Sequence, residues 1–298
     1  MRGSKLVLVA VILLAFGGSF VGKIAIENER DRSRAGNGRI ISLAPSITET
    51  LFALGLHEEV VGVTRFCDFP PAALSKTRVG GYFDPNYEAI VALDPEFVVM
   101  LEEHEGERDR FERLGLDVLV VDHKTIAGIL ASVTSIGDLC GAEEAAARLI
   151  EELQGGISRI SEQVDGDRRP LVMVSVGRSS GSGSIEDVVV ASKDSFFGQM
   201  IDLAGGRNTY TGHTLYPAIS KEGIMRLDPE IIIDINFDLD GEPPDRLIAE
   251  WDAVAGVRAV ENGRVHVFSQ DYASVPGPRF VQTLEDLARV IHPGAIKE

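Results

Sequence analysis

The chain has 298 residues, 44% of them hydrophobic, enough for two domains that each bury a core, which excludes a largely disordered protein. Its formal charge of −17, from 29 basic against 46 acidic residues, argues against nucleic acid or an anionic lipid surface as partner. An acidic chain of this kind suits a cationic ligand or a basic docking partner.

Residues 1–22 stand apart. Arg2 and Lys5 precede an apolar run over residues 6–16, and Gly17, Gly18 and Ser19 follow, which is the pattern of an export signal. No Cys closes the run, so lipid attachment at a cleaved N-terminal Cys is excluded. At about 17 residues, the stretch over 6–22 sits at the lower limit for crossing a bilayer, so a cleaved signal and a retained anchor both stay open. Residues 23–38 then read as a charged linker.

Short β-branched runs over residues 39–43, 60–63 and 118–121 read as strands, and helical patterns over 48–54 and 108–114 separate them. Further strands are expected over residues 171–174 and 265–268. Alternation of this kind predicts an α/β fold with mainly parallel sheets covered by helices.

A repeat organises the chain. Tyr82, Glu88, Ile90, Leu93, Asp94, Pro95 and Glu96 recur 134 residues later as Tyr216, Glu222, Ile224, Leu227, Asp228, Pro229 and Glu230. In each copy a short helix ends where Pro cannot continue it, and an all-apolar run follows that fits a strand buried on both faces. Two copies predict two similar lobes.

Between them, apolar residues at 146, 149, 150, 153, 157, 160 and 164 form one helical stripe, interrupted only by Gly155 and Gly156. The expected organisation is therefore an α/β lobe over residues 39–140, one long interlobe helix over 141–166 and a second α/β lobe over 167–298. Two cysteines, Cys67 and Cys140, could pair in an oxidising compartment or stand as separate buried thiols.

Several segments carry a resemblance. The opening over residues 40–49, the stretch over 61–71 with Arg65-Phe66-Cys67-Asp68, both Leu-Asp-Pro-Glu units and the segment over 195–208 resemble the cobalamin and iron-siderophore class of periplasmic binding proteins. The likeness covers residues 39–292. It implies two Rossmann-like lobes on one rigid helix, a ligand held between them, and delivery to a membrane permease with no covalent step.

By motif match, the resemblance implies that Glu88 and Glu222 meet Arg residues of an ABC permease. Each Glu also falls in the first turn of its helix, after Asn86 or Ser220 as a cap, where a negative charge offsets the helix dipole. Phe66, Tyr82, Tyr216, Asp271 and Tyr272 match positions that line the cleft in the family, and Arg279 lies just beyond. Cobalamin receptors of this class tend to carry Trp where Tyr82, Tyr216 and Tyr272 stand here, which implies a smaller and more polar contact surface. The implied cargo is a corrinoid or a ferric siderophore, with haem as an alternative and a monomeric receptor expected.

The glycine-rich stretch over residues 177–184 lacks the ending of a phosphate loop and reads as a cleft loop, with Arg178 as a candidate contact to an anionic ligand group. The six histidines show no paired metal-ligand spacing, which counts against a receptor for bare metal. No nucleophile elbow, zinc helix or dinucleotide fingerprint is present, so no enzyme is expected and no catalytic residue is assigned. A membrane-tethered sensor is the remaining rival, favoured if residues 1–22 are retained.

Overall fold

The computed structural model describes residues 38–296 apart from 165, 167, 179–184, 186 and 237–242. The export segment, nearly all of the expected linker and most of the glycine-rich stretch thus lie outside the described residues.

The first sheet is built from β1 (Ile40–Ser42), β2 (Val60–Val63), β3 (Thr77–Arg78), β4 (Phe97–Leu101) and β5 (Asp117–Val121), in the order β3-β2-β1-β4-β5. Every pairing is parallel. Helices α1 (Pro45–Ala53), α2 (Tyr87–Ala92) and α3 (Arg108–Arg113) supply crossovers, and all five residues of β4 are buried, as an apolar run in a parallel sheet requires.

Two helices follow, α4 (Ile126–Cys140) and α5 (Glu143–Gln163). The second sheet then contains β6 (Leu171–Arg178), β7 (Asp187–Val190), β8 (Arg207–Asn208), β9 (Ala218–Ser220), β10 (Ile231–Ile235) and β11 (Val265–Phe268). Its helices are α6 (Phe196–Leu203), α7 (Lys221–Leu227), α8 (Pro244–Glu250), α9 (Arg258–Glu261) and α10 (Phe280–Ile291). The order is β11-β10-β6-β7-β9, with β8 also on β6. This sheet is mixed: β10 pairs in parallel with β6 and β11, whereas β7 runs antiparallel to both β6 and β9. The cause is the short return from β6 to β7, too short to hold the helical crossover that a parallel pair needs.

The sequence repeat is a structural repeat. Asn86 and Ser220 cap α2 and α7 by accepting hydrogen bonds from the amides of Ala89 and Gly223. Both helices stop at an Asp in the left-handed region, Asp94 at φ 45° and Asp228 at φ 43°. A Pro follows each, and β4 and β10 then enter equivalent places beside β1 and β6. The two copies belong to separate sheets.

Helix α5 runs unbroken through Gly155 and Gly156 for 21 residues, about 31 Å. Ala146 and Ile150 pack on the first-lobe core, Leu153, Ile157, Ile160 and Val164 on the second, and Leu149 on both. It is not alone as a brace. Ile126 and Ile129 of α4 join the second-lobe core, whereas Val133, Ile136 and Cys140 join the first, so a pair of helices straddles the lobes. Cys67 and Cys140 are free, buried thiols in one cluster, and burial pushes the Cys140 thiol up to about 12.

Candidate functional site

A groove of about 500 Å³ lies where the lobes meet. Its first-lobe wall includes Pro45, Ser46, Glu49, Phe66, Phe69 and Tyr82, and its second-lobe wall includes Ser269, Asp271, Ser274 and Arg279. The volume falls within the range of small-molecule sites. A larger hollow of about 760 Å³ is lined by residues of the first lobe and the start of α5, many of them charged, and has no second-lobe wall.

Local structure explains the first wall. Arg78 at the end of β3 donates to the carbonyls of Thr64 at 2.8 Å and Cys67 at 2.9 Å, and to Asp68 Oδ1 at 3.0 Å. This fixes the loop after β2 with Phe66 turned outward and 55% exposed. Tyr82 lies within a tight turn that opens at Gly80, φ 106°; a Cβ there would lie 2.5 Å from the Asp84 carbonyl oxygen, so only glycine is accommodated. Burial pushes the Tyr82 hydroxyl above its ordinary range, with the Glu103 carboxylate adding to the rise.

Arg279 closes the floor. Its Nε donates to Glu49 Oε2 at 3.0 Å, Nη2 to Glu49 Oε1 at 2.6 Å and Nη1 to Asp271 Oδ2 at 2.8 Å. The guanidinium also lies 3.6 Å from the centroid of the Phe69 ring, a cation–π contact. Beside it, a Cβ on Gly277 would come within 3.1 Å of Ser46 Cα, so the second-lobe loop rests directly on the start of α1.

His123 supports this end of the groove. Ser132 Oγ donates to the Ile129 carbonyl at 2.7 Å, so it accepts from His123 Nε2, also at 2.7 Å. Nδ1 is left to accept from Ser46 Oγ at 2.8 Å. Burial drives the His123 pKa down to about 4, so the ring is neutral near pH 7.

Of the ligand contacts expected from sequence, Phe66, Tyr82, Asp271 and Arg279 line the groove. Tyr216 does not line it. It stands 39% exposed before β9, where burial raises its hydroxyl pKa, a hydrogen bond with Ser195 lowers it, and Glu103 of the first lobe raises it further. Tyr272 does not line it either: its ring rests on the second-lobe core and its hydroxyl donates to Asp286 at 2.7 Å.

Arg178 needs correction. It ends β6 with a side chain only 2% exposed, bonded to Asp234 at 2.7 Å and to Glu250, and donating to the Leu247 carbonyl at 3.2 Å. Trp251, fully buried, donates to the same Asp234 carboxylate at 3.1 Å. The guanidinium of Arg178 neutralises a buried acidic pair and is not offered to a ligand. Glu49 and Phe69 also line the groove and were not marked by the sequence, although Phe69 stands three residues from Phe66 on the same loop.

No group of three or more metal-ligating side chains converges among the described residues, and none of their helices is long and apolar enough to cross a membrane. Two α/β lobes on a helical brace, with a groove where they meet, define a two-lobed ligand receptor. The chain belongs to the periplasmic binding protein family, whose profile matches residues 40–272. It is 28% identical to an ABC transporter substrate-binding lipoprotein of Bacillus subtilis, over 87% of this chain and 82% of that protein. It is 29% identical to a cobalamin-binding protein of Halobacterium salinarum, over 85% of this chain and 69% of that one. Among solved structures it resembles a possible iron-binding, periplasmic solute-binding protein of Staphylococcus epidermidis, with a TM-score of 0.73 and 26% identity, over 86% of this chain and 99% of that one.

Proposed function

We propose that this chain is the exported receptor of an ABC importer, capturing a corrinoid between its lobes and handing it to the membrane permease. The observation that carries the cargo reading is the chemistry of the two walls. One presents Phe66, Phe69 and Tyr82, fit for the apolar face of a macrocycle, and the other presents Ser269, Asp271 and Ser274, fit for amide arms. A corrinoid exceeds the groove volume, so the groove grips one part of the ring and its arms.

Charge favours a corrinoid over haem or an anionic ferric siderophore. Glu49, Asp68 and Asp271 line the groove against one guanidinium, Arg279, which Glu49 and Asp271 already engage. A haem propionate would meet carboxylates with no uncommitted cation among the described lining residues. A cationic or neutral corrinoid meets no such penalty.

Delivery is assigned to Glu88 and Glu222, exposed near the tips of α2 and α7, one on each lobe, where Arg side chains of a permease would pair with them. Binding and release without covalent chemistry, a monomeric receptor and retention outside the cytoplasmic membrane, with or without residues 1–22, complete the reading.

The test is titration of the purified protein with cyanocobalamin, cobinamide, ferric siderophores and haem, followed by visible absorbance. Saturable binding of a corrinoid is expected; binding of haem or a siderophore alone, or a melting temperature raised only by bare metal, overturns the cargo reading. Reversing Glu88 and Glu222 to Arg abolishes uptake and spares affinity. A loss of affinity in that variant places the two residues in the site.

A further inference from the structure

Behind the Tyr82 ring is a second, smaller cavity. It holds about 100 Å³ and is lined by Leu43, Tyr82, Phe83, Glu103, His104 and Glu107, among others. Tyr82 lines both this cavity and the main groove, so the two share a wall. Tyr82, Phe83 and His104 pack edge to face, with His104 centred 4.4 Å from Tyr82 and 5.7 Å from Phe83.

His104 is only 6% exposed, yet neither of its ring nitrogens has a hydrogen-bond partner among the described residues. Burying a polar group in that state is costly, and such groups are rare unless something else meets them. Burial also lowers the pKa of the ring, against the pull of Glu103 and Glu107, so the imidazole offers one N–H donor and one lone pair.

We infer that this cavity is a subsite for a primary carboxamide, with His104 as its recognition group and Glu103 and Glu107 as a screen against carboxylates. Whichever ring nitrogen faces the incoming arm, an amide satisfies it: its carbonyl accepts from N–H, and its NH2 donates to the lone pair. A carboxylate can do only the first, and must do so beside two acids. A hydrocarbon arm can do neither. The carboxamides that rim a corrin ring are arms of this kind, so on the corrinoid reading the pocket selects amidated cargo over its hydrolysed acids.

The experiment has two parts. In the first, the imidazole signals of the nitrogen-15-labelled full chain are followed while propionamide, propionate or propylammonium is added, and the His104 signals are assigned by their loss in His104→Phe. Propionamide shifts them saturably and propionate does not. No shift with propionamide, or an equal shift with either of the others, overturns the inference and leaves the cavity a water site or a site for another group. In the second, His104→Phe weakens cobinamide binding roughly tenfold, the worth of one buried hydrogen bond, while His104→Gln, which keeps a donor and an acceptor, holds most of the affinity. Equal affinity in wild type and a folded His104→Phe overturns it. A wild-type protein that binds no corrinoid refutes the cargo reading, and the propionamide result then decides the pocket by itself.

Discussion

Arg279 of the second lobe grips Glu49 of the first with two parallel hydrogen bonds, at 3.0 Å and 2.6 Å, and so ties the lobes together at the floor of the groove. The Glu49 side chain is 3% exposed, and burial raises its pKa against the opposing pull of Arg279. Removing the guanidinium leaves a buried carboxylate without its counter-charge. Arg279→Met therefore costs about 3 kcal/mol, read as a lower denaturant midpoint, and adding Glu49→Gln recovers part of the loss. An unchanged midpoint in Arg279→Met would mean that the tie contributes nothing.

Arg178→Met is expected to damage stability and spare binding. Asp234 and Glu250, with side chains 1% and 5% exposed, would lose the counter-charge they share, at a cost of about 3 kcal/mol or more. Calorimetry and ligand titration on the same variant separate the outcomes. Weaker cargo binding at unchanged stability would return Arg178 to the site.

His123 makes the fold acid-sensitive within a defined window. Its folded pKa of about 4 lies below the ordinary 6.5, so between those values the unfolded chain holds a proton that the folded protein does not. The neutral ring's contribution is complete above pH 6.5 and declines as pH falls toward 4, by on the order of 3 kcal/mol in total. Subtracting the pH profile of His123→Gln from that of wild type isolates this loss. A flat difference across the window would show that His123 is not held neutral by the fold.

The two glycines of α5 should respond in opposite directions. A Cβ on Gly155 meets nothing within 4 Å, whereas one on Gly156 would lie 2.7 Å from Val281 Cγ1 of α10. Gly155→Ala raises stability by up to about 1 kcal/mol through helix propensity. Gly156→Ala lowers it by about 1 to 3 kcal/mol, because α5 and α10 must separate. Melting temperatures of the two single variants decide the matter.

Much of the architecture was legible because the chain states it twice. Helix caps, a Pro that ends a helix and an apolar strand are local signals, and their recurrence at one spacing exposed the pair of lobes. The antiparallel β7 and β9 were not legible, since their direction depends on how β6 turns back and not on their own residues. Helix α4 escaped notice as a second brace because what its apolar face packs against is decided only in the folded protein. Arg178 misled because it begins a glycine-rich stretch, while its acidic partners lie 56 and 72 residues away. Glu49 was missed for the same reason: nothing near it announces an Arg 230 residues downstream. Phe66, Tyr82 and Asp271 were marked through motif likeness and Arg279 as a neighbour of the match; likeness locates a position without revealing what its side chain touches.

The sealed setting of Trp251 decides what light can report. Its indole is fully buried, bound to Asp234 with Arg178 overhead, and is absent from the residues that line the groove. Emission from this single tryptophan therefore gauges whether the second lobe is intact and stays silent about direct contact with cargo. A fluorescent handle for the groove has to be introduced, and Tyr82→Trp would put one on its wall.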